Sequence, residues 1–187
     1  NPLKGKNPPG SIGLPLPGVE VRIVAEDGTA CGTGEIGGIE VRGPGVFAGY
    51  WRMPEKTREE FTADGFFRTG DVGQWDANRY LSIVGRSKDL IISGGYNIYP
   101  KEIENILYRH PDVLEAGVIG VPDPVYGESV KAFVALKTPG SVTEEELLEF
   151  CKKELPSYKR PKAVQFLESL PKSAVGKILR RELRNIK

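Results

Sequence analysis

The chain has 187 residues, 39% of them apolar and 27% charged, which is ordinary for a soluble globular protein of one or two domains. Lys and Arg total 26 against 25 Asp and Glu, so no bulk field draws it to nucleic acid or to an anionic membrane. The two cysteines, Cys31 and Cys151, are far apart and lack metal-ligand spacing; they read as free thiols in a reducing compartment, which points to the cytoplasm. No apolar run approaches the roughly 20 residues of a membrane span. The chain opens on Asn1 without a leader, and its one methionine is Met53, so it reads as a piece of something longer.

Residues 1–18 are rich in Pro, Gly and Lys and read as a loop. Val19 to Ala25 alternates as a half-buried strand, a turn follows at Glu26-Asp27-Gly28, and a second strand runs from Gly38 to Arg42 until Gly43-Pro44-Gly45 stops it. Pro54 to about Phe61 predicts a helix with Pro in its first turn. Tyr80 to Val84 and Leu90 to Ser93 are two further short strands. Beyond residue 88 the pattern changes. Ile103, Ile106 and Leu107 set helical spacing over Pro100 to Arg109, ended by His110-Pro111. Ala116 to Val121 and Val130 to Leu136 read as strands. Thr143-Glu144-Glu145-Glu146 is a capping box opening a helix to Leu155. Val164 to Leu167 is a last strand, and Lys177 to Arg184 a short basic helix. The expected fold class is α+β: a Gly-rich, β-rich, distorted barrel-like part over 1–86, a hinge at 87–89, and a small mobile α+β domain over 90–187.

Two apparent motifs carry little. Gly32-Thr33-Gly34-Glu35-Ile36-Gly37 matches G-x-G-x-x-G, but the dinucleotide fingerprint needs a following helix to meet the pyrophosphate, and a strand follows here. It reads as a Gly-rich hairpin. The single histidine, His110, leaves a Ser-His-Asp triad or a multi-histidine metal site hard to build; at a helix end its charge favours the negative pole. No metal-ligand set is read.

Three stretches hold more chemistry. Asp71, after Gly70 at an expected turn, either caps that turn or accepts two hydrogen bonds from a ribose diol. Gly85 to Asn97 joins the two halves. In it Arg86 offers a fork of donors for phosphate or ribose oxygens, Lys88 and Asp89 sit where the composition shifts, and Gly94-Gly95 either admits a ligand close to the backbone or forms a bulge. In Pro171 to Arg181, Lys177 follows Gly176 on a polar loop. From Arg160 to Lys187 eight basic residues face two acidic ones, which fits an anionic ligand or a solvated face.

In this order the segments resemble the adenylate-forming superfamily of acyl-CoA synthetases, peptide-synthetase adenylation domains and luciferases. The resemblance spans essentially the whole chain: Gly34-Glu35-Ile36 with Gly49-Tyr50-Trp51, Arg68-Thr69-Gly70-Asp71, Gly85-Arg86 through Glu104, Leu155-Pro156-Ser157-Tyr158-Lys159, and Gly176-Lys177. It implies that Asp71 and Arg86 bind the nucleotide, Asp71 through the ATP ribose. It implies that Lys177 is the catalytic lysine bridging the acid and the α-phosphate, that Lys88 is the hinge, and that Gly94 and Gly95 line the path of CoA. The implied activity joins a carboxylic acid to CoA with Mg-ATP through an acyl-adenylate, the small domain rotating between the steps.

The superfamily's phosphate loop, its Tyr-Gly-x-Thr-Glu segment and its acid pocket have no counterpart in the 187 residues, which implies that this segment alone is inactive. Gly45 through Thr57 resembles malonyl-CoA synthetases, and Gly176 through Arg181 is closer to fatty-acyl ligases; a fatty or short-to-medium acid is expected, with malonate as the alternative. Two rival classes are a non-catalytic nucleotide-binding module, against which the retained Lys177 argues, and a nucleic-acid binder, for which the basic tail has no aromatic platform.

Overall fold

A computed structural model describes residues 8–186; the first seven residues of the expected N-terminal loop lie outside the described range. The chain divides into two compact units, one up to Lys88 and one from Asp89.

The first unit contains β1 (Ser11–Gly13), β2 (Glu20–Val24), β3 (Gly37–Arg42), α1 (Pro54–Glu60), β4 (Phe67–Trp75) and β5 (Leu81–Arg86). The five strands form one antiparallel sheet in the order β1-β5-β4-β3-β2. The sheet is open, with β1 and β2 at its edges, and is not a closed barrel. Its small core is Ile23, Ile39, Trp75 and Leu81. On β2 and β3 opposite charges face each other in register: Glu20 meets Arg42 at 2.8 Å and Arg22 meets Glu40 at 2.7 Å. Both guanidiniums lie over the Phe66 ring, so this sheet face is held by paired charges covering one buried aromatic. The Gly32 to Gly37 segment links the β2–β3 hairpin, as its sequence requires, with Gly34 at φ 81°.

β4 departs from the sequence reading, which placed Asp71 at a turn. Gly70 and Gly73 interrupt its alternation, but β3 and β5 pair with it on both sides and register shifts near the glycines absorb the irregularity. Gly73 is required by space: a Cβ there would lie 2.5 Å from the Ser82 carbonyl oxygen and 2.7 Å from Ile39 Cδ1.

The second unit begins in a 3-10 turn, Ser87–Asp89, that straddles the division. It continues with β6 (Ile91–Ser93), β7 (Tyr96–Ile98), α2 (Pro100–Leu107), β8 (Val113–Asp123), β9 (Gly127–Leu136), α3 (Glu144–Glu154), β10 (Ala163–Phe166) and α4 (Arg180–Leu183). β8 and β9 form a long antiparallel hairpin, β10 runs parallel to β9, and β6 and β7 extend the sheet. β9 reads as one apolar run because both of its faces are covered. Val130, Ala132 and Val134 pack with Ile103, Leu107 and Leu147 of α2 and α3. Phe133 and Ala135, on the alternate positions, pack with Leu170 and Leu183.

The capping box on α3 is formed as its sequence demands. Glu146 N–H donates to Thr143 Oγ1 at 3.2 Å, and Thr143 N–H donates to Glu146 Oε2 at 2.8 Å. α4 is shorter than the expected basic helix. Residues 177–179 are captured instead by a hairpin: Lys172 and Ile178 form a β-bridge, and Leu179 N–H donates to the Pro171 carbonyl at 2.8 Å. Cys31 and Cys151 are free thiols, and burial pushes the Cys151 thiol up to about 11. Among the described residues no helix is long and apolar enough to cross a membrane.

Candidate functional site

Asp71 and Arg86 are brought into direct contact. They are register partners on β4 and β5, and Arg86 Nε lies 2.9 Å from Asp71 Oδ1. Gly70, at φ 71°, sets the local bend before Asp71. Behind it Asp71 N–H donates to Thr69 Oγ1 at 3.1 Å, and the Thr69 hydroxyl donates to the Ile39 carbonyl at 2.8 Å. Ser87, directly after β5, closes the arrangement by donating to the Gly70 carbonyl at 3.2 Å. The Asp71 carboxylate opens on a cleft of about 210 Å³ lined also by Thr69, Ile12, Leu14, Leu81 and Ile83. An acceptor pair beside an apolar cleft suits a diol attached to a flat ring.

Lys88 lies exposed in the 3-10 turn at the division between the units. Gly94 and Gly95 form the two-residue connection of the β6–β7 hairpin, with φ of 56° and 83°. Two consecutive left-handed residues define a type I′ turn, which glycine reaches without strain; the bulge reading gives way to a hairpin turn. The turn is seated from the β8–β9 connection and the start of β9: Gly94 N–H donates to the Tyr126 carbonyl at 2.9 Å, and Ile92 N–H to Glu128 Oε2 at 2.8 Å. Asp123 organises that connection. Lys162, then the Tyr126 and Val125 N–H groups, hold its carboxyl down at about 2. Tyr96 stacks on Tyr158 with centroids 4.5 Å apart.

Lys177 is exposed near the foot of the 172–178 hairpin, after Gly176 at φ 77°. Its N–H donates to Ser173 Oγ at 3.2 Å and its carbonyl accepts from Ser173 N–H at 2.8 Å. Among the described residues no carboxylate pairs with its ammonium, while the two Ser173 contacts hold its backbone. His110 packs edge-on against Phe150 and accepts the Asp112 N–H. Among the described residues no group of three or more His, Cys, Asp or Glu is gathered to hold a metal ion.

Sequence reasoning missed a cluster around Arg180. Arg180 Nη2 lies 2.7 and 2.8 Å from the two carboxylate oxygens of Glu104, and Nη1 lies 3.0 Å from Asp89 Oδ2. Glu104, only 4% exposed, also accepts the Val118 N–H at 3.0 Å. The available signal was a carboxylate standing inside the apolar stripe of α2, beside Ile103 and Leu107. Such a group is buried only with a partner.

This fold and these motifs are those of the AMP-binding enzyme family. Residues 102–177 match the AMP-binding enzyme C-terminal domain and residues 1–51 match the AMP-binding enzyme family; the chain belongs to that family. It is 49% identical to a long-chain-fatty-acid–CoA ligase of Yersinia pestis, over 99% of this chain and 33% of the ligase. It is 45% identical to a sulfoacetate–CoA ligase of Cupriavidus necator, over 99% of this chain and 36% of the relative. The structure of ATP-bound MatB from Rhodopseudomonas palustris superposes with a TM-score of 0.94 at 46% identity, covering 99% of this chain and 37% of MatB. The chain thus spans about a third of the length of these proteins.

Proposed function

We propose that this segment serves an AMP-forming acyl-CoA ligase, supplying the ribose clamp, the hinge, the CoA-facing turn and the mobile catalytic lysine. The reading rests chiefly on two observations: Asp71 and Arg86 are joined on neighbouring strands at the mouth of a cleft, and Lys177 is held by its backbone with no carboxylate on its ammonium among the described residues. Asp71 accepts the ribose hydroxyls of ATP, and Arg86 both orients Asp71 and donates to the same nucleotide. ATP enters as its magnesium complex, the metal arriving with the substrate.

In the first step the substrate carboxylate displaces pyrophosphate and the acyl-adenylate forms. Lys177 places positive charge where negative charge develops. In the second step rotation about Lys88 withdraws Lys177 and presents Gly94-Gly95, and the CoA thiol displaces AMP. A cytosolic setting is supported by the two free thiols.

The relatives act on a long-chain fatty acid and on sulfoacetate at nearly equal identity to this chain. This supports a division of labour in which this segment handles ATP and CoA while the acid is chosen elsewhere. A fatty or short-to-medium acid remains our proposed substrate, with malonate second. Exposed Ile12, Leu14, Leu16 and Ile83, beside a small core, support packing of the first unit against the rest of the ligase.

Lys177→Ala in the full-length enzyme tests the reading. Acid-dependent pyrophosphate exchange should collapse, while thioester formation from preformed acyl-adenylate is largely kept. Equal loss of both half-reactions would overturn the assignment.

A further inference from the structure

We infer that Arg180 is a positioning residue for Lys177, and that through Asp89 it ties the Lys177 loop to the segment next to the hinge. The inference rests on the ligase reading above and goes beyond it, since Arg180 itself touches neither nucleotide nor acid in that reading.

The loop carrying Lys177 has two anchored feet. At the first, Lys172 pairs with Glu115 of β8, whose other oxygen accepts the Leu170 N–H at 3.1 Å. Burial opposes the charge on Glu115, yet Lys172 and that N–H together hold its carboxyl below the usual range. At the second, Arg180 grips Glu104 of α2 with Nε and Nη2 and reaches Asp89 with Nη1. Only Ile178 and Leu179 separate Lys177 from Arg180, so their Cα atoms are at most about 11 Å apart along the chain. The intervening residues are themselves pinned by the Lys172–Ile178 bridge and the Leu179–Pro171 hydrogen bond. A shift of the Arg180 fork is therefore passed to Lys177 with little slack.

Adhesion of α4 does not by itself require this arginine. Leu183 is fully buried and packs with Leu170, Phe133 and Ile178. Apolar contact is non-directional, however, and tolerates small slides and rotations. A guanidinium fork on a carboxylate does not, because both hydrogen bonds are lost together. Glu104 is fixed in turn by the Val118 N–H, so the fork refers the Lys177 loop to the rigid α2–β8 pair. The partners are 23%, 14% and 6% exposed at their side chains (Arg180, Asp89 and Glu104), so salt screens them weakly. Asp89 is the residue after Lys88, which makes a hinge-adjacent carboxylate part of the same foot.

The test uses the full-length enzyme and three readouts: acid-dependent pyrophosphate exchange, thioester formation from preformed acyl-adenylate, and thermal stability. Arg180→Met should slow exchange on the order of 10- to 100-fold, the cost of misplacing a reacting group by about an ångström, while thioester formation stays near the parent rate. Arg180→Lys, which keeps the charge and loses the fork, should fall between. Because Arg180→Met strands a buried carboxylate, the paired variant Arg180→Met with Glu104→Gln guards against simple unfolding. It should recover thermal stability without recovering exchange. If exchange returns with stability, or if both half-reactions fall together, Arg180 is only a brace and the inference fails. If instead Lys177→Ala leaves exchange intact, the ligase role of Lys177 fails first, and the two failures are told apart.

Discussion

Gly117, in the middle of β8, should be intolerant of a single methyl group, and Leu183 should account for the intolerance. Its backbone is outside the left-handed region, so space alone is at issue. A Cβ at Gly117 would lie 2.8 Å from Leu183 Cδ1, 3.0 Å from Leu170 Cδ2 and 3.2 Å from Ile178 Cγ2. Leu183 and Leu170 are buried and have nowhere to retreat, so Gly117→Ala should cost about 1–3 kcal/mol from overpacking. Leu183→Ala removes side chain from a fully buried site and should cost about 2–4 kcal/mol. In the double variant the new methyl occupies part of the space vacated. The two costs should then sum to at least ~1 kcal/mol more than the double variant shows, well outside the additivity expected of independent sites. Urea unfolding followed by circular dichroism gives all three values at constant slope. Additivity within about 0.5 kcal/mol would refute the packing of α4 against β8 described above.

Two further outcomes are expected. Thr143→Ala removes the acceptor for the Glu146 N–H at the start of α3 and should destabilise the second unit by about 1 kcal/mol in the same unfolding measurement, with Thr143→Ser nearly neutral. Asp123 has a folded pKa near 2 against about 3.9 for a free aspartate. Its contribution is therefore complete above about pH 4 and is lost as pH falls toward 2. Thermal melts across that window should fall more steeply for the parent than for Asp123→Asn, and parallel curves would remove Asp123 as the organiser of the β8–β9 connection.

The elements legible in the sequence are those that declare themselves locally. The Thr143–Glu146 capping box, Pro at the first turn of α1 and α2, and the apolar run of β9 each state their structure within a few residues. β1 and β7, of three residues each, are too short to show a period. β4 carries glycines that break its period and exists because two neighbours pair with it. The start of α4 was misplaced because a β-bridge from Lys172, five positions before Lys177, competes for the same backbone.

The site divides along the same line. Residue types and order along the chain mark Asp71, Arg86, Lys88, Gly94, Gly95 and Lys177 as candidates, and the resemblance to the adenylate-forming superfamily supplies their proposed roles. That Asp71 and Arg86 share one salt bridge was decided by strand register, a pairing 15 residues apart that no local pattern encodes. That Arg180 answers a buried Glu104 was decided by packing over 76 residues. A charge run on a short helix looks solvated until the fold brings a buried carboxylate beneath it, and burial is a property of the whole unit rather than of any window along the chain.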